Sequence, residues 1–148
     1  VNNDFLGDVR VYGLWPDGNG ANSGLVGSDT DSVNNYLLID DAAAGAPDTG
    51  DYVRSSTPGT KDTYTYTDVP AGTTVKGVQV DSYVWKTDTG AISGRVVAYD
   101  GANTLVGSDV VLSTSYQGVS SVLELAPDGA AWTGTKVNST QFGWEVRP

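Results

Sequence analysis

The reactive inventory of this 148-residue chain is narrow: sixteen Asp, two Glu, four Trp and eight Tyr, with no His, Cys or Met. Without imidazole or thiol there is no Ser-His-Asp triad, no thiolate nucleophile, no haem or iron–sulfur ligation and no ordinary zinc site. Carboxylates and aromatic rings are what remain. Two carboxylates at a set separation are enough for glycoside hydrolysis, but sixteen Asp in one chain produce accidental pairs, so no catalytic residue is assigned. Calcium chemistry needs several oxygens on a loop. Asp29-Thr30-Asp31 and the group Asp40, Asp41 and Asp48 offer such oxygens. Neither has the Gly at the sixth and the Glu at the twelfth position of the full loop pattern, so both read as turn and cap residues. No metal and no cofactor is expected.

The aromatic residues are the more specific signal. In the run from 74 to 87, Val78, Val80 and Val84 share one parity, and Gln79, Asp81, Tyr83 and Trp85 share the other. If the valines face a core, Tyr83 and Trp85 stand together on the opposite face. Packing under loops or against another subunit is the plainer reading of that pair, and a flat platform for a sugar ring or a partner is the sharper one. Trp15, at a strand end before Pro16-Asp17-Gly18, is a third contact candidate, whereas Trp132, Trp144 and Phe142 suit terminal packing.

The elements that must position these rings are strands. Asp, which favours turns, replaces Glu, which favours helices, almost throughout. Period-two alternation recurs at 8–12, 61–69, 74–87, 94–99, 105–112, 117–125 and 142–146, with shorter stretches at 36–39 and 52–56. Residues 17–34 and 40–51 read as exposed loops, and Asp100-Gly101 as a hairpin signal. Tyr64 and Tyr66 are expected on one face of their strand, with Thr63, Thr65 and Thr67 on the other. Val119, Leu123 and Leu125 are expected on one side of theirs. A single helical turn is expected near 133–140, capped by Thr133, with Val137 pointing inward between Trp132 and Phe142. The expectation is one all-β domain over residues 1–148, a single antiparallel β-sandwich of jelly-roll-like kind.

The formal charge of −10, with eight scattered cations, argues against a nucleic-acid partner. No apolar stretch approaches the ~20 residues of a bilayer span, so no membrane partner is expected. A chain opening at Val1 is expected to be processed or to be an excerpt of something longer. The absence of Cys suits a reducing place of synthesis.

Three stretches, taken in order, carry a resemblance. Asn2-Asn3-Asp4-Phe5-Leu6-Gly7-Asp8-Val9-Arg10-Val11 is similar to the opening of a domain of tailed-bacteriophage structural proteins. The run from Pro47 through Tyr52-Val53-Arg54-Ser55-Ser56 and Lys61-Asp62-Thr63-Tyr64-Thr65-Tyr66 to Val75-Lys76-Gly77-Val78-Gln79-Val80 resembles its middle. Ala131-Trp132-Thr133, Val137-Asn138 and Phe142-Gly143 resemble its close. The resemblance implies a non-enzymatic β-sandwich component of the virion surface, made in the bacterial cytoplasm and most simply a capsid decoration or cement protein. Its implied partners are the major capsid protein or other virion proteins, together with further copies of itself, with a trimer as the expected closed form. In larger relatives the domain follows a concanavalin-like or laminin-G-like jelly roll, a half not seen here. The alternative is a carbohydrate-binding or adhesin domain of a tail fibre or tail-associated protein, with a host-surface glycan as partner.

Overall fold

The computed structural model describes residues 10–41 and 48–148. Ten strands run β1 Pro16–Ser23, β2 Val26–Gly27, β3 Val53–Arg54, β4 Lys61–Tyr66, β5 Val78–Val84, β6 Ser93–Tyr99, β7 Thr104–Val106, β8 Val110–Val111, β9 Gln117–Leu123 and β10 Gln141–Arg147. A 3-10 turn covers Asn35–Leu38 and one short helix, α1, covers Gly134–Ser139. Every strand pair is antiparallel. The chain is all-β, as its alternation requires, and the helical turn falls where Thr133 was expected to cap it, with Thr133 Oγ1 accepting from the Lys136 N–H at 3.2 Å.

The main sheet has the order β1-β4-β10-β6-β7, with β8 also pairing β6. Its register lays side chains in rows across one face. Tyr64, Phe142, Ala98 and Leu105 form one row, and Asp62, Trp144 and Val96 the next. The β5–β9 pair lies over this face. Val80 and Leu123 from that pair join Val96, Ala98, Phe142, Trp132 and Val137 in a single buried cluster. Gly94 makes room for the Trp144 ring, since a Cβ there would meet the indole at 2.4 Å. The Trp132 indole N–H donates to the Leu123 carbonyl at 2.8 Å, which satisfies its polar edge inside the core. Helix α1 is tied down by Asn138, whose amide both accepts from the Val69 N–H (2.9 Å) and donates to the Val69 carbonyl (3.1 Å).

Five local expectations are corrected. The 8–12 strand falls partly outside the described residues, and Arg10 to Trp15 are not in a strand. The segment expected as turn and loop from Pro16 onward is instead β1, an edge strand. Glycine explains the reversal: Cβ atoms at Gly18 and Gly20 would lie 2.7 Å from Thr65 Oγ1 and 2.5 Å from the Thr63 carbonyl, so only bare backbone comes this close to β4. The register shifts along β1 fit an edge that is bulged rather than flat. Residues 36–39 form the 3-10 turn instead of a strand, because Asn34 enters it at φ 59°. Leu125, expected inward with Leu123, is half exposed, since the strand ends at Leu123 and the chain turns to bridge Leu125 with Ala131. The 105–112 stretch divides into β7 and β8, and Asp100-Gly101 does turn β6 into β7, with Gly101 at φ 98°.

Candidate functional site

The β5–β9 pair presents an outer face that the core does not use. Register places Gln79, Asp81 and Tyr83 opposite Val122, Ser120 and Gly118 respectively, and all six are exposed. Gly118 has no side chain to meet Tyr83, and open space surrounds the position its Cβ would take. The Tyr83 ring therefore has room to lean diagonally toward the residue two before Gly118. That residue is Tyr116, and the two rings stack at 5.0 Å with an interplanar angle of 2°. Trp85 lies just past the end of β5 and tilts against the same Tyr116 ring at 4.9 Å and 40°. The sequence parity that grouped Tyr83 with Trp85 thus leads to one cluster, joined through Tyr116.

Sequence reading missed Tyr116. The usable signal was the parity of Tyr116, Gly118, Ser120 and Val122 just where the 117–125 strand begins, but only pairing with β5 shows which rings they would meet. A small hydrogen-bond network ties the residues on either side of Tyr116. Ser113 and Ser115 bond each other, the Ser113 N–H donates to Gln117 Oε1 (3.2 Å), and the Lys86 N–H donates to the Ser113 carbonyl (2.9 Å). Beside the rings, Asp81 accepts from Ser120 Oγ (2.5 Å) and from the Gln79 amide (2.9 and 3.2 Å). The face thus combines a flat aromatic surface with a row of polar groups and an exposed Val122.

Trp15 does not join this cluster. It is 45% exposed and stands at the mouth of β1, where its backbone continues the pairing with Thr67. Trp15, Tyr12, Tyr52 and Trp85 are all among the residues lining a broad cleft of about 2000 Å³.

The carboxylates separate into turn-makers and one buried hub. Asp31, Asp48, Asp88, Asp100 and Asp128 each accept from the backbone N–H two residues on. At Asp100 the Asn103 amide and the N–H groups of Asn103 and Ala102 hold the carboxyl below its usual range, and at Asp128 the Lys136 ammonium does the same. Asp62 is different: fully buried on β4, it accepts from the Leu25 N–H (2.7 Å), the Asn35 amide (2.6 Å) and the Tyr64 hydroxyl (2.8 Å). Burial and this neighbouring carboxylate drive the Tyr64 phenol far above its ordinary value. On the opposite face of the main sheet, Glu145 and Asp109 are clasped by Arg95 and Arg147, with the Arg95–Glu145 pair at 2.9 Å.

Compared with protein-family models, with curated proteins and with solved structures, the chain matches none.

Proposed function

We propose that this chain is a non-enzymatic structural module of a tailed-phage particle, displayed on the particle exterior and acting as a head decoration protein. The observation that carries the contact role is the outer face of β5–β9, where Tyr83 is 49% and Val122 65% exposed beside the stacked Tyr116 ring. Apolar and aromatic groups gathered on one rigid sheet face suit protein–protein contact. The resemblance supplies the phage setting, although its opening run lies mostly outside the described residues. A net charge of −10 suits an outer surface that keeps particles apart.

The double variant Tyr116→Ser/Val122→Ser tests the contact role. Thermal melting should stay within a few degrees of the parent, while self-association by light scattering, or rebinding to particles stripped of this protein, falls at least ~10-fold. Parent protein that is monomeric and leaves stripped particles bare sinks the decoration reading. Immunogold labelling of intact particles then reports the site: label over the head supports decoration, and label confined to the tail moves the module there.

A second reading draws on the same face. A ring stacked flat on its neighbour, beside the Gln79–Asp81–Ser120 row, is how a sugar platform would be assembled, with an apolar face for the ring and polar groups for its hydroxyls. Trp85→Ala that abolishes binding on a glycan array while the fold is kept would favour it.

A further inference from the structure

We propose that the loop from Gly27 to Asn35 holds a calcium ion, with Asn35 Oδ1 and Asp29 Oδ1 as its side-chain ligands. The argument starts from an amide that cannot turn round. Asn35 is 0% exposed, and its NH₂ donates to the Leu25 carbonyl (3.1 Å) and to Asp62 Oδ2 (2.6 Å). Both partners are acceptors, so only the nitrogen can face them, and the assignment of oxygen and nitrogen is fixed. Oδ1 is therefore aimed the other way, where it is buried and has no hydrogen-bond partner. Buried amide oxygens are very seldom left in that state.

What Oδ1 meets there is a second acceptor. Gly27 borders both oxygens: the position of a Cβ on it would lie 3.2 Å from Asn35 Oδ1 and closer to Asp29 Oδ1, with the Leu38 Cδ1 methyl closing another side. Asp29 is exposed, and its Oδ1 takes only a long 3.3 Å contact from the Asp31 N–H. An amide oxygen and a carboxylate oxygen thus converge on the bare side of Gly27, and the partner that satisfies both is a cation. Hard oxygen donors without nitrogen or sulfur select calcium or magnesium over zinc or copper. Two side-chain ligands from an irregular loop, completed by carbonyls and water, suit the flexible six-to-eight coordination of calcium better than the strict octahedron of magnesium. Among the described residues no group of three acidic side chains gathers. The single charged ligand therefore sets the affinity in the weak range of extracellular modules, a Kd of about 10⁻⁴–10⁻³ M. Through Asn35 the ion would be joined directly to Asp62 and so to the middle of β4.

The test is a melting series on the intact chain at constant ionic strength, starting in EGTA and adding calcium chloride or magnesium chloride to 10 mM. The expected result is a rise in Tm of about 5 °C at 10 mM calcium, growing with the logarithm of the concentration once it passes the Kd, and much less with magnesium. Asp29→Ala, a change at an exposed position, should remove the calcium increment. The Asn35 side-chain amide resonances in a ¹H–¹⁵N spectrum should shift on calcium addition in the parent and stay fixed in the variant, a readout that does not depend on reversible melting. A parent that neither melts higher nor shifts its Asn35 resonances with calcium overturns the proposal and assigns a buried water to Oδ1. An increment that survives Asp29→Ala, or is equalled by magnesium, overturns it too, the first placing the ion elsewhere and the second reducing it to charge screening.

Discussion

Asp62 joins three pieces of chain remote in sequence: the Leu25 backbone, the Asn35 turn and the Tyr64 ring. All three partners point donors at it, so replacing one carboxylate oxygen by an NH₂ group sets donor against donor in a site closed to water. Asp62→Asn should lose about 3 kcal/mol of stability in urea denaturation, whereas Tyr64→Phe, which removes one donor and leaves two, should lose about 1 kcal/mol. Equal and small losses would mean that water reaches the site and that the hub is not closed. The residue scale was the least legible in sequence. Asp62 sat inside a strand that alternated correctly, yet nothing local distinguished it from fifteen other aspartates, because its partners lie up to 37 residues away. Tyr116 went unseen for the same reason, its meaning depending on the β5–β9 register.

Elements were more legible where periodicity and core agree. β4, β5 and β9 lie within the stretches read from alternation, β6 and β10 overrun theirs by a single residue at one or both ends, and α1 lies where its cap residue stands. The failures cluster where glycine or a left-handed Asn overrides composition, as in β1 and the Asn35–Leu38 turn. Close approach also sets the sensitivity of β6. Gly94→Ala drives a methyl into the Trp144 indole and should lose about 2 kcal/mol, with Trp144 fluorescence shifted to the red as the ring is displaced. At the other end of the core, Lys136 on α1 holds Asp128 in the turn before it. Because the Asp128 carboxyl is lowered on folding, its contribution is complete above the ordinary value of 3.8 and is lost as the pH falls below that toward the folded value. Asp128→Asn should therefore lower the urea midpoint at pH 6, and by progressively less as the pH falls below 3.8. A difference that is constant across that range would show that the ion pair does not couple to folding.

For the whole molecule, the buried Tyr64 phenol and the partly buried Tyr66 phenol set a limit on the alkaline side. Burial pushes Tyr66 up to about 12 and Tyr64 higher still. Unfolded tyrosine ionises near 10, so the stabilisation is intact below that pH and falls as the pH rises toward 12. Absorbance at 295 nm should rise in two phases. Tyr64 and Tyr66 form the later phase, together with the loss of the far-ultraviolet β signal. A single smooth phase with the β signal retained would place both phenols in contact with water.

The strand order has a consequence in time. β10 comes after the other described strands in chain order, yet it lies between β4 and β6 at the middle of the main sheet. Until it is synthesised, the sheet is two halves without a common neighbour, and the Phe142 and Trp144 rows of the core are missing. Folding of this domain is in that sense deferred: a nascent chain stalled anywhere before residue 141 exposes the inner edges of β4 and β6 to whatever binds open strands.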